Sequence, residues 1–154
     1  MNQRKSPARN TVDEIDPTKL TELTLTDADR EEFDRGIRLF NERKFWHAQE
    51  AWEQVWRRHP EDSRLFIQGL IQMAAAFHLL VDKKRYTGAL SNFEKALARL
   101  VLFEPTFLGL PVSDYVRVIE KAKDEIRRVQ NGNAMTIDLS VVSSIVYWAP
   151  PSRG

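Results

Sequence analysis

Apolar residues recur along the chain at the three- and four-residue spacing of amphipathic helices, which predicts an all-α protein. The predicted helices cover about residues 27–42, 45–58 and 61–81, a fourth that begins near 86, and 112–130. Thr26 is the expected N-cap of the first helix, because its hydroxyl can accept a hydrogen bond from a free backbone N–H group. Pro60 stops the second helix, and Asn131-Gly132 supplies a stop for the fifth. We therefore expect a compact bundle of about five helices.

The third predicted helix is apolar on nearly every side, whereas the other helices each carry one apolar stripe. It should therefore lie at the centre of the bundle. Its apolar run is interrupted by Gln72 and His78, and the chain has no run of about eighteen apolar residues. This pattern indicates a buried core helix and not a membrane span.

A short internal repeat links the second and fourth helices. Phe45 and Ala48 have counterparts in Tyr86 and Ala89, 41 residues further along, and each pair follows a short basic turn. An aromatic residue three positions before an alanine is similar to the tetratricopeptide arrangement, in which the second helix of a hairpin packs closely on the first. We expect two such hairpins and a capping helix. Fewer than three repeats favours a compact bundle over an extended peptide-binding solenoid.

The two ends of the chain differ from its middle. Residues 1–25 are polar, contain two prolines and lack helical periodicity, so we expect a flexible N-terminal tail before a helical domain at 26–130. The last segment, 131–154, is rich in Val, Ile, Ser and Tyr between 137 and 148 but has no partner strand elsewhere. We expect it to be an extended tail packed on the bundle.

Composition narrows the class of protein. The chain has 154 residues, of which 42% are hydrophobic and 29% charged, as in one globular domain. The absence of cysteine excludes disulfides, thiolate metal sites and a cysteine nucleophile, and a net charge of +1 selects no anionic partner. The basic N-terminus lacks the apolar segment of a secretory signal, so we expect a cytoplasmic protein, with an organelle transit peptide as the alternative.

Four polar residues fall within the predicted apolar faces. Gln49 and Glu53 lie one turn apart on the second helix, and Gln68 and Gln72 do so on the third, on a stripe with Leu65, Ala75, Ala76 and Leu79. Each would cost about 1–3 kcal/mol if it were buried without a partner. We therefore expect these side chains either to hydrogen-bond one another or to surround a polar ligand or water.

Both interpretations of this cluster are open at this point. In the structural one, the amides and the carboxylate bond to each other and fix how the helices dock. In the functional one, Trp52 and Trp56 form aromatic walls around Glu53, which acts as an acid, a base or a single metal ligand. Glu50 lies about 60° further round the helix, where a solvent-exposed charge and a second site carboxylate are the two alternatives.

The remaining candidate residues give little indication of metal binding, catalysis or nucleic-acid binding. His78 is expected to be a core histidine among Ile67, Ile71 and Ala74. The three histidines have no chelating spacing, so we predict no metal site and no cofactor, and no phosphate loop, dinucleotide fingerprint or nucleophile elbow occurs. The basic residues at predicted helix ends lack interleaved aromatics, which argues against a nucleic-acid site: Arg57, Arg58, Lys83, Lys84 and Arg85.

Four segments of the chain resemble the DUF309 family, a domain of unknown function in small all-helical proteins of prokaryotes and plastids. These are Phe40-Asn41, the run 45–56, the run 68–78 and Gly88-Ala89, within about 33–100. The resemblance implies a compact helical bundle and no established activity. It also implies a histidine where this chain has Gln49, whereas Glu50, Glu53 and Trp56 match.

The glutamine at this position limits what the resemblance can imply about chemistry. A neutral amide has no proton to exchange near neutral pH, so Gln49 can replace a histidine neither as a metal ligand nor as a base. His47 lies about 160° round the helix and is not a substitute.

We therefore expect a binding protein more than an enzyme, with a small polar ligand or a partner segment held in a pocket between the second and third helices. One alternative is an enzyme with Glu50 or Glu53 as general acid/base and His78 in support. A second is a self-associating protein whose C-terminal apolar residues do not fold back. We expect neither a nucleic-acid nor a membrane partner. The candidate ligand-binding residues are Gln49, Glu50, Trp52, Glu53, Trp56, Gln68, Gln72 and His78.

Overall fold

The computed structural model describes residues 16, 20, 23–138 and 140, and this part of the chain folds into five α-helices. They are α1 (Asp27–Asn41), α2 (Phe45–Trp56), α3 (Arg64–Phe77), α4 (Tyr86–Leu100) and α5 (Val112–Gln130). A π-helical turn (His78–Asp82) continues α3, and a 3-10 turn (Val101–Phe103) follows α4. Within the described residues there is no strand, only an isolated bridge between Phe107 and Leu110. The prediction of an all-α bundle of five helices is confirmed.

The helix boundaries follow local capping chemistry. The Asp29 N–H donates to Thr26 Oγ1 at 3.1 Å, which confirms Thr26 as the N-cap of α1. The second helix ends two residues earlier than predicted, because the N–H groups of Arg58 and His59 donate to carbonyls three residues back and close a tight turn before Pro60. Gly132, beyond the end of α5, has a φ of +80°, as expected for a glycine stop.

The central position of α3 is confirmed by its packing. Helices α2 and α4 lie on either side of it, α1 packs against α2, and α5 packs against α4. Arg64–Asp82 is the one helical stretch of the described chain long and apolar enough to span a membrane, but 61% of its apolar window is buried inside the bundle. That burial is typical of a core helix.

A chain of aromatic rings joins four of the helices at one end of the bundle. The ring of Phe40 in α1 lies 5.1 Å from that of Phe45 in α2, which in turn lies 5.7 Å from Phe77 in α3. Phe77 then contacts Phe93 of α4 at 4.9 Å. These contacts hold the α1–α2 turn beside the end of α3.

The repeat seen in the sequence has a matching backbone geometry. Arg43 and Lys84 stand at equivalent positions before α2 and α4, and both adopt a left-handed conformation, with φ values of +63° and +53°. Ala48 and Ala89 are both fully buried, as the repeat predicts. The likeness to tetratricopeptide hairpins stays a prediction.

Core contacts extend slightly beyond the predicted domain boundaries. Leu23 is only 7% exposed and belongs to the core cluster, three residues before the expected start at 26. After α5, Ile137 packs on the core, and the Asp138 N–H donates to Glu125 Oε1 at 3.0 Å. The rest of the predicted C-terminal tail, 139 and 141–154, lies outside the described residues.

The contact between α1 and α2 depends on one glycine. Trp52 is fully buried against α1, where its Nε1 donates to the carbonyl of Phe33 at 3.1 Å. A Cβ atom at Gly36 would lie 2.3 Å from that same Nε1. Only glycine therefore allows the indole to approach α1 this closely.

We predict that Gly36→Ala lowers the free energy of unfolding by about 2 kcal/mol, because the indole must shift and lose its hydrogen bond. Gly88→Ala is the matched control, since its Cβ would meet only the mobile tip of Leu79 at 3.2 Å. Urea unfolding of the three proteins measures the difference. Equal stabilities for Gly36→Ala and the control would contradict this explanation.

Candidate functional site

Helices α2 and α3 run antiparallel and meet through an aromatic contact at each end. At one end the guanidinium of Arg64 lies over the ring of Trp56, 4.2 Å from its centroid. At the other end the rings of Trp46 and His78 lie 5.6 Å apart. These two contacts define the edge of α3 that faces α2.

The other edge of the exposed surface of α3 faces α4. A Cβ at Gly69 would lie 3.4 Å from the Cβ of Arg99, and a Cβ at Gly88 would lie 3.2 Å from Leu79. Between the two edges, α3 and the π-helical turn that continues it expose a half-buried line of residues at helical spacing. We call this line the glutamine stripe: Gln68, Gln72, Ala75 and Leu79. The remaining members of the predicted stripe, Leu65 and Ala76, are fully buried. The glutamine stripe thus lies between α2 and α4.

The glutamine stripe contains buried polar atoms without partners. The Oε1 atoms of Gln68 and Gln72 are inaccessible to water and accept no hydrogen bond from any described residue, and the Nε1 of Trp56 likewise finds no acceptor there. Arg64 stands one turn before Gln68, so its contact with Trp56 places this indole at the start of the stripe. Two acceptors and one donor are therefore unsatisfied in one region.

Arg99 adds positive charge at the α4 edge. Its guanidinium is partly buried and its Nη1 donates to the carbonyl of Lys95 at 3.3 Å. Burial lowers the pKa of this side chain, but arginine remains charged at neutral pH. With Arg64 at the other edge, cations border the glutamine stripe on both sides.

The prediction that four polar groups face the interior is correct for the two glutamines of α3 and wrong for Glu53. The Glu53 side chain is 37% exposed and lies 4.0 Å from Arg57 in an ion pair one turn away. Gln49 is half-buried. The reason is the rotation of α2, which buries Ala48, Ala51 and Val55, so that Gln49 and Glu53 come to the border of the buried face.

Glu50 and Trp52 lie away from the glutamine stripe. Glu50 is exposed, and its Oε1 lies 3.4 Å from the Nδ1 of His47. Trp52 was expected to form a wall of the pocket, but it packs between Phe33 and Phe40 on the α1 side of its helix. Its burial in the core removes it from the candidate site. Of the two predicted tryptophan walls, Trp56 alone borders the stripe.

His78 is satisfied, as expected, but at the edge of the bundle and not within its core. Its Nδ1 lies 2.9 Å from Asp82 Oδ2, and its side chain is 18% exposed. The helical rise places it about 15 Å along the axis from Gln68. It therefore belongs to the end of the bundle that carries Trp46.

A buried ionic cluster that the sequence analysis missed joins α1 to the α2–α3 turn. Asp29, only 4% exposed, binds the guanidinium of Arg58 through Oδ1 and lies 2.9 Å from His59 Nε2 through Oδ2. The other ring nitrogen of His59 lies 3.5 Å from Glu61, and its carbonyl accepts from Arg64 at 3.0 Å. The cluster fixes the turn from which Arg64 reaches Trp56.

The charges around Asp29 change its titration. Burial on its own would raise the pKa of this carboxyl, but the hydrogen bonds and charges of Arg58 and His59 outweigh burial and hold the pKa below its ordinary value. Asp29 therefore stays ionised in the folded protein. It stabilises the turn as a charged acceptor.

Elsewhere on the described surface there is a charged cavity but no candidate metal site. A shallow cavity of about 360 Å³ is lined by charged residues of α1 alone: Asp27, Arg30, Glu31, Asp34 and Arg38. Its lining includes an ion pair of Arg30 and Asp34 at 3.4 Å. The described residues contain no group of three or more histidines and carboxylates that could hold a metal ion.

Comparison with known proteins confirms the resemblance seen in the sequence. Residues 33–92 match the family model of DUF309, a domain of unknown function. The match runs from within α1 into α4 and includes all eight candidate residues, while α5 lies outside it. No curated protein and no solved structure matches the chain. Residues 33–92 of this helical protein are therefore similar to a DUF309 domain.

We predict that Asp29→Asn lowers the free energy of unfolding at pH 7 by about 2 kcal/mol, because a neutral amide cannot hold Arg58 and His59 together. Since the pKa of Asp29 is lower in the folded than in the unfolded state, its contribution is present above about pH 4 and is lost as the pH falls through the folded value.

Urea unfolding at several pH values tests this, with the exposed neighbour Asp27→Asn as the matched control. The difference between wild type and Asp29→Asn should shrink toward pH 2.5. A difference that stayed constant with pH, or that equalled the control, would show that the carboxylate charge is not what stabilises the turn.

Proposed function

We propose that this protein is a binding protein whose ligand, a small polar molecule or a polar segment of a partner, occupies the glutamine stripe between α2 and α4. The observation that carries the proposal is the group of three buried polar atoms, on Gln68, Gln72 and Trp56, that have no hydrogen-bond partner in the described part of the chain. Buried polar groups in proteins are nearly always hydrogen-bonded, and each exception costs about 1–3 kcal/mol. A ligand that satisfies these atoms would recover that free energy on binding.

The atoms indicate what the ligand must offer. The carbonyls of Gln68 and Gln72 require hydrogen-bond donors, spaced by about 6 Å as one helical turn demands. The indole of Trp56 requires an acceptor. Ala75 and Leu79 continue the same line and provide apolar contact. A ligand with two donors, one acceptor and a small apolar part fits this pattern.

The charges at the borders favour a neutral or anionic ligand over a cation. Arg64 lies over Trp56 on the α2 side and Arg99 belongs to α4 on the other side, whereas the carboxylate of Glu53 in α2 is paired with Arg57. That exposed ion pair is worth little, and Glu53 therefore offers little attraction for a cationic ligand. The ligand would therefore be recognised mainly by the amides and the indole, with the arginines selecting against positive charge.

The enzyme alternative receives less support from the same geometry. Glu50 is exposed and contacts His47, Glu53 is paired with Arg57, and His78 is bonded to Asp82. Each candidate group is thus engaged with a different neighbour, whereas general acid/base catalysis requires groups that converge on one reacting atom. We therefore place binding first.

We predict that Gln68→Met and Gln72→Met each raise the free energy of unfolding of the free protein by about 1 kcal/mol, because an unpartnered carbonyl is replaced by an apolar group of similar length. A thermal-shift screen of amino acids, carboxylic acids, sugars, nucleosides and metal ions should find a compound that stabilises the wild type. Its stabilising effect should be lost in both variants.

Gln54→Met, on the exposed face of α2, is the matched control and should keep both the original stability and the ligand response. The opposite outcome is equally clear. If both substitutions lower stability and no compound stabilises the wild type, the amides serve packing only, and the proposed binding function is wrong.

A further inference from the structure

The fold brings two basic turns together at one end of the bundle. The turn before α2 contains Arg43 and Lys44, and the turn before α4 contains Lys83, Lys84 and Arg85; all five side chains are exposed. The ring contacts of Phe45 with Phe77 and of Trp46 with His78 hold the first turn beside the end of the helix that leads into the second. We call these five residues, together with Trp46, the basic end.

Trp46 is unusual because it is 50% exposed on a helix whose other tryptophans are buried or half-buried. Its ring lies 5.6 Å from that of His78, at 49° to it, and the Nδ1 of His78 lies 2.9 Å from Asp82 Oδ2. The indole therefore has one ring contact and leaves half of the residue in water. Tryptophan and arginine are enriched among the residues that contribute most to protein interfaces.

The backbone of the two turns provides an independent observation. Arg43 and Lys84 occupy left-handed conformations, which favour glycine or asparagine and cost a larger side chain about 1 kcal/mol. Neither is at a buried position where packing would require a long side chain. Both equivalent positions therefore carry a cation despite its conformational cost, so each of the two turns presents positive charge.

We propose that the basic end binds an acidic segment of a partner protein, with an apolar residue of that segment against Trp46 and its carboxylates on the two turns. The charges are complementary, since the basic end carries five cations, of which Lys44 is paired with Glu42 at 3.3 Å, and Asp82 beside the second turn is bonded to His78. This site is distinct from the glutamine stripe.

The same features favour a peptide over nucleic acid or lipid. Single-stranded nucleic acids are bound by successive aromatic side chains that stack successive bases, whereas the basic end offers one exposed ring. Binding to an anionic membrane uses an extended apolar face, which is lacking around Trp46 among the described residues. A segment with one apolar anchor between acidic residues matches one tryptophan beside basic turns.

The test is fluorescence anisotropy with a fluorescein-labelled peptide that has a Leu-Phe pair flanked on each side by four Asp or Glu residues. It should bind the wild type saturably at low salt, and less tightly as added salt screens the charges. Trp46→Ala should weaken binding about tenfold. Lys44→Glu combined with Lys83→Glu, one change in each turn, should weaken it at least as much and remove most of the salt dependence.

Lys95→Glu combined with Lys121→Glu is the matched control, because it makes the same change in net charge at exposed lysines of α4 and α5. Its affinity should stay within about twofold of the wild type. Thermal unfolding of every variant verifies that the fold is retained.

Three results would overturn the proposal. They are no saturable peptide binding, an equal loss of affinity in the control, and tighter binding of a single-stranded DNA of equal charge or of phosphatidylserine vesicles than of the peptide. None of these depends on a ligand at the glutamine stripe, so the two proposals fail separately.

Discussion

The constraint that governs this structure is the burial of α3. This helix carries apolar side chains around nearly its whole circumference, so that α2 and α4 must cover it on two sides, with the aromatic chain of Phe40, Phe45, Phe77 and Phe93 closing one end. Burial of such side chains is the main favourable term in folding. One strip is left partly uncovered, and this strip contains Gln68 and Gln72. Gln68 and Gln72 therefore lie where the neighbouring helices leave α3 partly uncovered.

The position of these two glutamines is the basis of the proposed function. Leucine at both positions would make the folded protein more stable, because buried carbonyls without a hydrogen-bond partner oppose folding. Proteins commonly tolerate such a cost at sites whose polar groups are satisfied by a ligand. The indole of Trp56 strengthens the argument, because it adds a donor to two acceptors in the same region. Arg64 lies over Trp56 and donates to the carbonyl of His59, whose ring is bonded to Asp29 of α1. These contacts connect the region around Trp56 to the junction of α1, α2 and α3.

The sequence predicts the helices well because their signals are local. Periodicity, the Thr26 cap and the Gly132 stop each depend on residues within one or two turns, and all appear in the structure. The candidate site was predicted only in part. Whether Glu53 or Trp52 faces the site depends on how α2 is rotated against its neighbours, and the approach allowed by Gly36 directs Trp52 to α1.

Long-range features could not be predicted from local patterns at all. Asp29 and His59 are 30 residues apart, and neither a spacing nor a motif connects them before the chain has folded. The same holds for the basic end, because its two turns are about 40 residues apart in the sequence. They come together only when Phe45 and Trp46 contact Phe77 and His78 at the end of α3.

The central claim is that the amide oxygens of Gln68 and Gln72, and the Trp56 indole beside them, have no hydrogen-bond partner among the described residues. Hydrogen exchange of the tryptophan indoles tests this claim most directly. NMR of the protein with ¹⁵N-labelled indoles compares Trp56 with Trp52, whose Nε1–H is bonded to the Phe33 carbonyl and serves as an internal reference. The account predicts that the Trp56 indole proton exchanges much faster than that of Trp52 in the free protein. Equal protection of the two indoles would mean that Trp56 has an internal acceptor, and would contradict the account.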